Sequence, residues 1–291
     1  MRIIFMGTPQ FAVPCLEALV AAGHEIPAVF CQPDKPQGRK MLLTAPPVKA
    51  CALAHGITVM QPEKLRGNEE IFELLRALAP ELIVVVAYGK ILPQEVLDIP
   101  KHGCVNVHAS LLPKYRGAAP IQWAVLNGER ETGITTMQMD AGLDTGDWLE
   151  KTTCPIPEDM TAGELHDKLS ELGAGALMRT IELLEQGRLS PQKQDDAQAS
   201  YAPMLSREMS PINWNRSAWE VHNHIRGLNP WPGATMEFDG QPLKAHKARV
   251  SETQDSPLHI QCGDGKYIEL LVVQAQGKKA MPASEFLKGR R

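Results

Sequence analysis

The sequence predicts an α/β protein: a Rossmann-like, doubly wound N-terminal domain followed by a smaller C-terminal β domain. Three observations carry this. Short, continuously apolar runs alternate with segments of helical spacing through the first two-thirds of the chain, as in a parallel-rich sheet covered on both faces. A polar stretch rich in Gln, Asp and Ala, Ser190–Ser200, then has no periodic apolar face. Beyond it, strand-like runs are punctuated by Gly turns, as in a small antiparallel domain.

Taken in order, Ile3 to Met6 predicts the first strand, and Arg2-Ile3-Ile4-Phe5-Met6 reads as strand rather than signal peptide. Gly7-Thr8-Pro9-Gln10 lacks the later glycines of a dinucleotide fingerprint, so a structural turn is expected. Val13 to Ala22 and Glu69 to Ala79 carry helical spacing, while Ile26 to Phe30, Leu82 to Val86 and Cys104 to His108 are apolar runs bounded by turns. Thr161 opens a long helix to Gln186, with Glu164 three residues on as in a capping box and Gly187 as its stop. The division predicted is a first domain over 1–189, a linker over 190–206 and a second domain over 207–291. In the latter, Ala234 to Phe238, Leu243 to Val250, Leu258 to Gln261 and Tyr267 to Ala275 are strand candidates, separated by Asp239-Gly240 and Gly263-Asp264-Gly265.

Bulk properties bound the class of protein. With 291 residues, 43% of them hydrophobic and 22% charged, the chain can bury two cores. No apolar run approaches the roughly 18 residues of a membrane span. Six cysteines, at 15, 31, 51, 104, 154 and 262, show no paired framework, which fits reduced thiols in a cytosol. No role is assigned to them. Residues 206–291 carry 12 Lys plus Arg against 9 Asp plus Glu, a net of +3 in a chain of net −4. A modestly positive second domain suits phosphate binding, although solvated cations on ordinary surfaces are the common case. Cys31 to Lys49 is more basic locally: Lys35, Arg39, Lys40 and Lys49 face one acid, Asp34, in a Pro- and Gly-rich loop. It is either a recognition loop or a merely solvated one.

The chemistry-bearing feature is Asn106-Val107-His108-Ala109-Ser110-Leu111-Leu112-Pro113, with Asp144 in a Gly-rich turn 36 residues after His108. Val105 and Val107 alternate with Asn106 and His108, so the amide and imidazole emerge on one strand face. The carboxyl end of a strand is where open α/β sheets hold ligands. His102, Cys104 and His108 share parity, but no zinc spacing supports a metal site, and none is expected. Ser110 lacks the Gly-x-Ser-x-Gly elbow of a serine hydrolase. His222 and His224 read as helix-surface or packing residues. What remains is a donor amide, an imidazole and a distant carboxylate, suited to stabilising an oxyanion and moving protons in acyl transfer.

Val105 to Trp123 (VNVHASLLPKYRGAAPIQW) and Glu131 to Asp147 (ETGITTMQMDAGLDTGD) resemble the signature of the folate-dependent formyltransferases. MRIIFMGTPQFAVP at the start, VVVAYGKILP from Val84 to Pro93 and IRGLNPWPGA from Ile225 to Ala234 resemble the members that act on initiator methionyl-tRNA. The resemblance spans nearly the whole chain. It implies 10-formyltetrahydrofolate as formyl donor, the α-amino group of methionyl-tRNA as acceptor, no metal, and an OB-like barrel for the second domain. Asn106, His108 and Asp144 are then catalytic. Ser110, Leu111, Leu112 and Pro113 line the tetrahydrofolate site, while Tyr88, Lys90, Ile91 and Leu92 with Asp140 and Leu143 hold the pterin. Taken singly, Leu111 and Leu112 could equally fill the core. Lys35, Arg39 and Lys40 contact tRNA from the basic loop. A monomer needing neither DNA nor membrane is expected.

The chain departs from the pattern at Lys40-Met41-Leu42, where Gly and more basic residues are usual, and at Met204, where Lys is usual. Val250 to Leu258 is short, and the sequence stops at Arg291 ahead of a usual tail, which predicts a trimmed barrel. In the implied reaction the amine attacks the formyl carbon, Asn106 and His108 donate to the oxyanion, and Asp144 supports the imidazolium form of His108. Three alternatives share parts of this pattern: a sugar-nucleotide formyltransferase, a formyltetrahydrofolate hydrolase, and a non-catalytic RNA-binding protein.

Overall fold

In the computed structural model a seven-stranded sheet forms the first half of the fold, built on β1 (Ile3–Gly7), β2 (Val29–Phe30), β5 (Val59–Met60), β6 (Leu82–Val86), β7 (Cys104–His108), β9 (Glu131–Gln138) and β10 (Trp148–Pro155). The structure describes residues 1–38, 41–254, 256 and 258–288. The strand order is β10-β9-β7-β6-β1-β2-β5. Every residue of β1 and β6 is buried, which explains why both read as unbroken apolar runs: their strands are covered on both faces. β1 pairs in parallel with β2 and β6, and β6 in parallel with β7. β9 then pairs antiparallel with β7, so the sheet is parallel-rich with a reversed edge.

Between the strands lie α1 (Val13–Ala21), α2 (Pro47–Ala54), α3 (Glu69–Leu78) and the single turn α4 (Gln94–Leu97). The Asn68 side chain caps α3 by accepting from the Ile71 N–H at 3.3 Å, and Ala79 ends the helix in the left-handed region. Ile4, Met6, Phe30, Phe72, Leu75, Ile83, Tyr88 and Leu92 belong to one core on this side of the sheet. Gly7 has no room for a side chain: a Cβ would lie 2.7 Å from Phe5 and 2.9 Å from Ala12. That close approach of strand end to the following helix is the structural turn expected of Gly7-Thr8-Pro9-Gln10.

Some elements differ from their expected bounds. The run Ile26 to Phe30 yields only Val29–Phe30 as strand, because Pro27 has no N–H to give a ladder. The basic loop contains a hairpin, β3 (Lys35–Gln37) against β4 (Leu42–Thr44). β9 was masked in the sequence by its threonines. Thr135 and Thr136 are fully buried, and each is satisfied: the Thr135 hydroxyl donates to the Ser110 carbonyl at 2.6 Å, and Thr136 pairs with Thr180 at 2.7 Å.

The chain groups into two units, Met1–Arg116 with Gly133–Cys154 and Asp167–Ser200, and Gly117–Thr132 with Pro155–His166 and Tyr201–Arg291. The two-residue strands β8 (Arg116–Gly117) and β11 (Tyr201–Ala202), and the helices α5 (Pro120–Leu126) and α6 (Ala162–Glu185), complete the elements before residue 203. α6 begins as expected, with the Thr161 N–H and hydroxyl both donating to Glu164. The second unit also holds α7 (Ala218–Gly227), β12 (Ala234–Phe238), β13 (Gln241–Ser251), β14 (His259–Gln261), β15 (Tyr267–Ala275), β16 (Met281–Pro282) and α8 (Ala283–Lys288). Its five strands are antiparallel, running β12-β13-β15-β14 with β16 on β15. Val221 and Ile225 of α7 and Phe286 of α8 pack with Leu243, Ile268, Leu270 and Val273. No described helix is long and apolar enough to cross a membrane.

Candidate active site

The site is set by β7, whose period-2 backbone puts Asn106 and His108 on one face. Its neighbours fix the pair in place: Val85 of β6 stands opposite Asn106, and Thr135 of β9 opposite His108. The Asn106 amide is half-buried and makes no hydrogen bond among the described residues, which leaves its N–H₂ available to a ligand. His108 is 6% exposed. Its Nε2–H donates to the Tyr115 carbonyl at 2.9 Å, which assigns that nitrogen as a proton carrier because a carbonyl only accepts. Nδ1 is thereby turned toward Asp144, whose Oδ2 lies 3.7 Å away. Tyr115 is held for this purpose in the left-handed region, at φ 60°, by the Ser200 hydroxyl on its N–H at 2.9 Å.

Asp144 also has a left-handed backbone, at φ 54°, an uncommon state for a residue with a side chain. Two devices hold its loop. On one side the Asp140 carboxylate accepts from the Gly142 N–H at 3.0 Å and the Thr145 hydroxyl at 2.8 Å. On the other, Gln194 Nε2 donates to the carbonyls of Asp144 and Gly146 at 2.8 and 2.7 Å, while its Oε1 accepts from the Arg116 guanidinium at 2.8 and 3.1 Å. Sequence reasoning missed Gln194. It sits in a polar stretch without periodicity and acts 50 residues back along the chain, so no local signal marks it.

The loop after β7 is equally constrained. The Ser110 hydroxyl donates to the Lys114 carbonyl at 2.6 Å, and the Thr135 hydroxyl accepts from the Leu112 N–H at 3.1 Å. Leu112 is fully buried and Leu111 half-buried, and the Leu112-Pro113 peptide is cis. Lys151 Nζ donates to the Leu112 carbonyl at 2.5 Å and lies over the Trp148 ring at 4.5 Å. Burial pulls its ammonium below the usual lysine range. Gly133 of β9 fits because a Cβ there would meet the Thr152 carbonyl at 2.1 Å and Leu111 at 2.7 Å.

After β6, Tyr88 is buried, with a hydroxyl that has no partner among the described residues. Its own burial first, and Cys31 second, push the phenol above the usual tyrosine range. The Tyr88 carbonyl accepts from the Thr8 hydroxyl at 3.0 Å and from Gln32 Nε2 at 3.1 Å, tying together the ends of β1, β2 and β6. Lys90 donates to the carbonyls of Pro62, at 2.5 Å, and Glu63. Ile91 is 84% exposed, Leu143 50% exposed, and Leu92 buried in the core. His108 and Asp144 are thus brought together, and Asn106 lies two residues back on the same face of β7. Lys35 is exposed on β3, while Arg39 and Lys40 lie outside the described residues. His102, Cys104 and His108 do not gather into a metal-ligand cluster among the described residues.

The profile of the Formyl transferase family matches residues 1–181, and that of the Formyl transferase C-terminal domain matches residues 204–291. The chain belongs to the formyltransferase family. A methionyl-tRNA formyltransferase of Acidobacterium capsulatum is 50% identical over 300 residues, covering 99% of this chain and 96% of its own. One from Geobacter sulfurreducens is 51% identical over 301 residues, covering 100% and 94%. Among solved structures, the sugar 3N-formyl transferase WlaRD, crystallised with dTDP and 5-N-formyl-THF, aligns at TM-score 0.72 and 20% identity over 96% of this chain and 99% of its own. An N-formyltransferase from Helicobacter canadensis aligns at TM-score 0.71 and 22% identity, over 94% and 98%. These two share the formyltransferase fold, and it is in that fold that β7 presents Asn106 and His108.

Proposed function

We propose that this formyltransferase moves a formyl group from 10-formyltetrahydrofolate to the α-amino group of initiator methionyl-tRNA, working in the cytoplasm. The observation that carries the acceptor is identity near 50% over the whole chain with methionyl-tRNA formyltransferases. The sugar-acting relatives in the structural comparison stand at 20–22%. The geometry supports the chemistry. As the amine attacks the formyl carbon, the carbonyl oxygen gains charge, and the unspent Asn106 amide donates to it. The tetrahedral intermediate collapses by expelling N10 of the folate, which takes up a proton as the C–N bond breaks. The attacking nitrogen must lose one.

In this reading His108 and Asp144 handle that proton. Nε2 is occupied by the Tyr115 carbonyl, so exchange runs through Nδ1, on the side where Asp144 stands. When the ring is charged, Nδ1–H donates toward the oxyanion or the carboxylate; when neutral, its lone pair accepts. The left-handed turn at Asp144, braced by Gln194, keeps the carboxylate on that side without the chain relaxing away. Ser110 to Pro113, Tyr88, Lys90, Ile91, Leu92, Asp140 and Leu143 are proposed to shape the folate site. Their common trait is tightly fixed backbone around a few exposed apolar side chains, which suits a flat ring with amide edges. Lys35, Arg39 and Lys40 are proposed as tRNA contacts. The purified chain, given labelled 10-formyltetrahydrofolate and methionyl-tRNA, should place label on the methionine nitrogen; an unlabelled methionine with active folate donor present would overturn the proposal.

A further inference from the structure

Apart from the β7 site, one group of unlike metal-binding side chains converges among the described residues: Glu17 of α1, with Cys51 and His55 of α2 and its C-terminal cap. Cys51 and His55 are four apart and so share one helix face. Glu17 reaches both, one carboxylate oxygen 3.1 Å from Cys51 Sγ and the other 2.8 Å from His55 Nε2. The three ligand atoms lie within 4.8 Å of one another. Zinc takes thiolate, imidazole and carboxylate at about 2.0–2.3 Å, which sets tetrahedral edges of roughly 3.3–3.8 Å. Side-chain shifts of about 0.5–1 Å bring the trio to that spacing. Cys51 is buried while Glu17 and His55 reach solvent, so an ion has an entry path and water can complete the fourth position.

We propose that Glu17, Cys51 and His55 bind a divalent ion of zinc type, clipping α1 to α2. On binding, the Cys51 S–H proton leaves to solvent, sulfur and the His55 Nε2 lone pair bond the ion, and no redox change occurs. Burial, then Glu17, push the thiol up to about 12, so the ion itself must displace the proton. α2 also carries Lys49, whose ammonium bonds both Asp34 carboxylate oxygens and Gln61, each at 2.8 Å, at the foot of the β3-β4 hairpin. The sequence hides the site because its ligands come from two helices 34 residues apart rather than from one short motif.

The test is a titration of the chelator-stripped, full-length chain with cobalt(II). One equivalent should produce thiolate-to-cobalt charge-transfer absorption in the near ultraviolet, and zinc should then bleach it. Cys51→Ser and His55→Ala should each weaken zinc binding at least about tenfold, as ligand loss costs no less than loss of an outer partner. Zinc should also raise the Tm of the parent and not of Cys51→Ser. Absence of the charge-transfer band in the parent overturns the proposal, as does its persistence in Cys51→Ser. Glu17→Gln changes an exposed side chain without threatening the fold; parental zinc affinity in that variant would remove Glu17 and with it the three-ligand site.

Discussion

Gln194→Glu separates positioning of the active-site loop from general stability. The parent amide makes two bonds to the loop, at Asp144 and Gly146, and receives two from Arg116. The carboxylate of the variant cannot donate, so both loop bonds are lost and its oxygen faces the carbonyl oxygens of Asp144 and Gly146 at the same distances. The bonds toward Arg116 survive and become charge-assisted. Each neutral amide-carbonyl bond contributes about 0.5–1.5 kcal/mol, so the loop loses about 2 kcal/mol of restraint. The left-handed backbone of Asp144 then loses the side-chain brace on its carbonyl. Carried into the barrier, about 2 kcal/mol is roughly a 30-fold fall in kcat. Single-turnover formyl transfer measures it, alongside KM for each substrate and Tm. A roughly 30-fold drop in kcat with an unchanged tRNA KM is expected, alongside a fall in Tm of only several degrees. A kcat within twofold of the parent would refute the claim that Gln194 positions Asp144.

Asn106→Ala should lower kcat by about 10²- to 10³-fold with folding intact, since one preorganised donor is lost; His108→Ala should be at least as damaging, and steady-state kinetics with circular dichroism check both. Arg39→Ala combined with Lys40→Ala should raise the KM for methionyl-tRNA and flatten its salt dependence, because fewer counterions are released, while the folate KM stays constant. Equal salt slopes in variant and parent would leave that loop merely solvated. The Thr161 N–H first, and its hydroxyl next, hold the Glu164 carboxyl below the usual carboxylate range. A group depressed on folding stabilises above its unfolded pKa, about 4.3, and loses that contribution as pH falls through the lower folded value. Glu164→Gln should therefore reduce the acid dependence of Tm below about pH 4.3, and identical acid profiles would contradict the assignment.

The parallel core was legible because β1, β6 and β7 advertise themselves as apolar runs with turns at both ends. The antiparallel edge was not. Buried Thr135 and Thr136 look polar in the sequence, and only their long-range partners Ser110 and Thr180 make them core residues. The pair Asn106 and His108 could be read from strand alternation alone, since the two residues are local to one strand. What orients them could not. The Tyr115 carbonyl fixes the tautomer of His108, and Gln194 fixes the loop of Asp144, and both act through backbone geometry that residue identity does not encode. The Ser190–Ser200 stretch shows the same limit: without an apolar face it still bonds through Gln192 to Trp148, and through Gln194 to the Asp144 loop.

Which acceptor takes the formyl group is measured directly by one competition. Methionyl-tRNA, an amino-sugar nucleotide and water are offered together to the enzyme with limiting 10-formyltetrahydrofolate, and the formylated products are counted. Formyl groups should accumulate on methionyl-tRNA, with the amino sugar unmodified and little formate released. Formylated sugar as the main product, or formate released without formylmethionyl-tRNA, would rule out methionyl-tRNA as the acceptor.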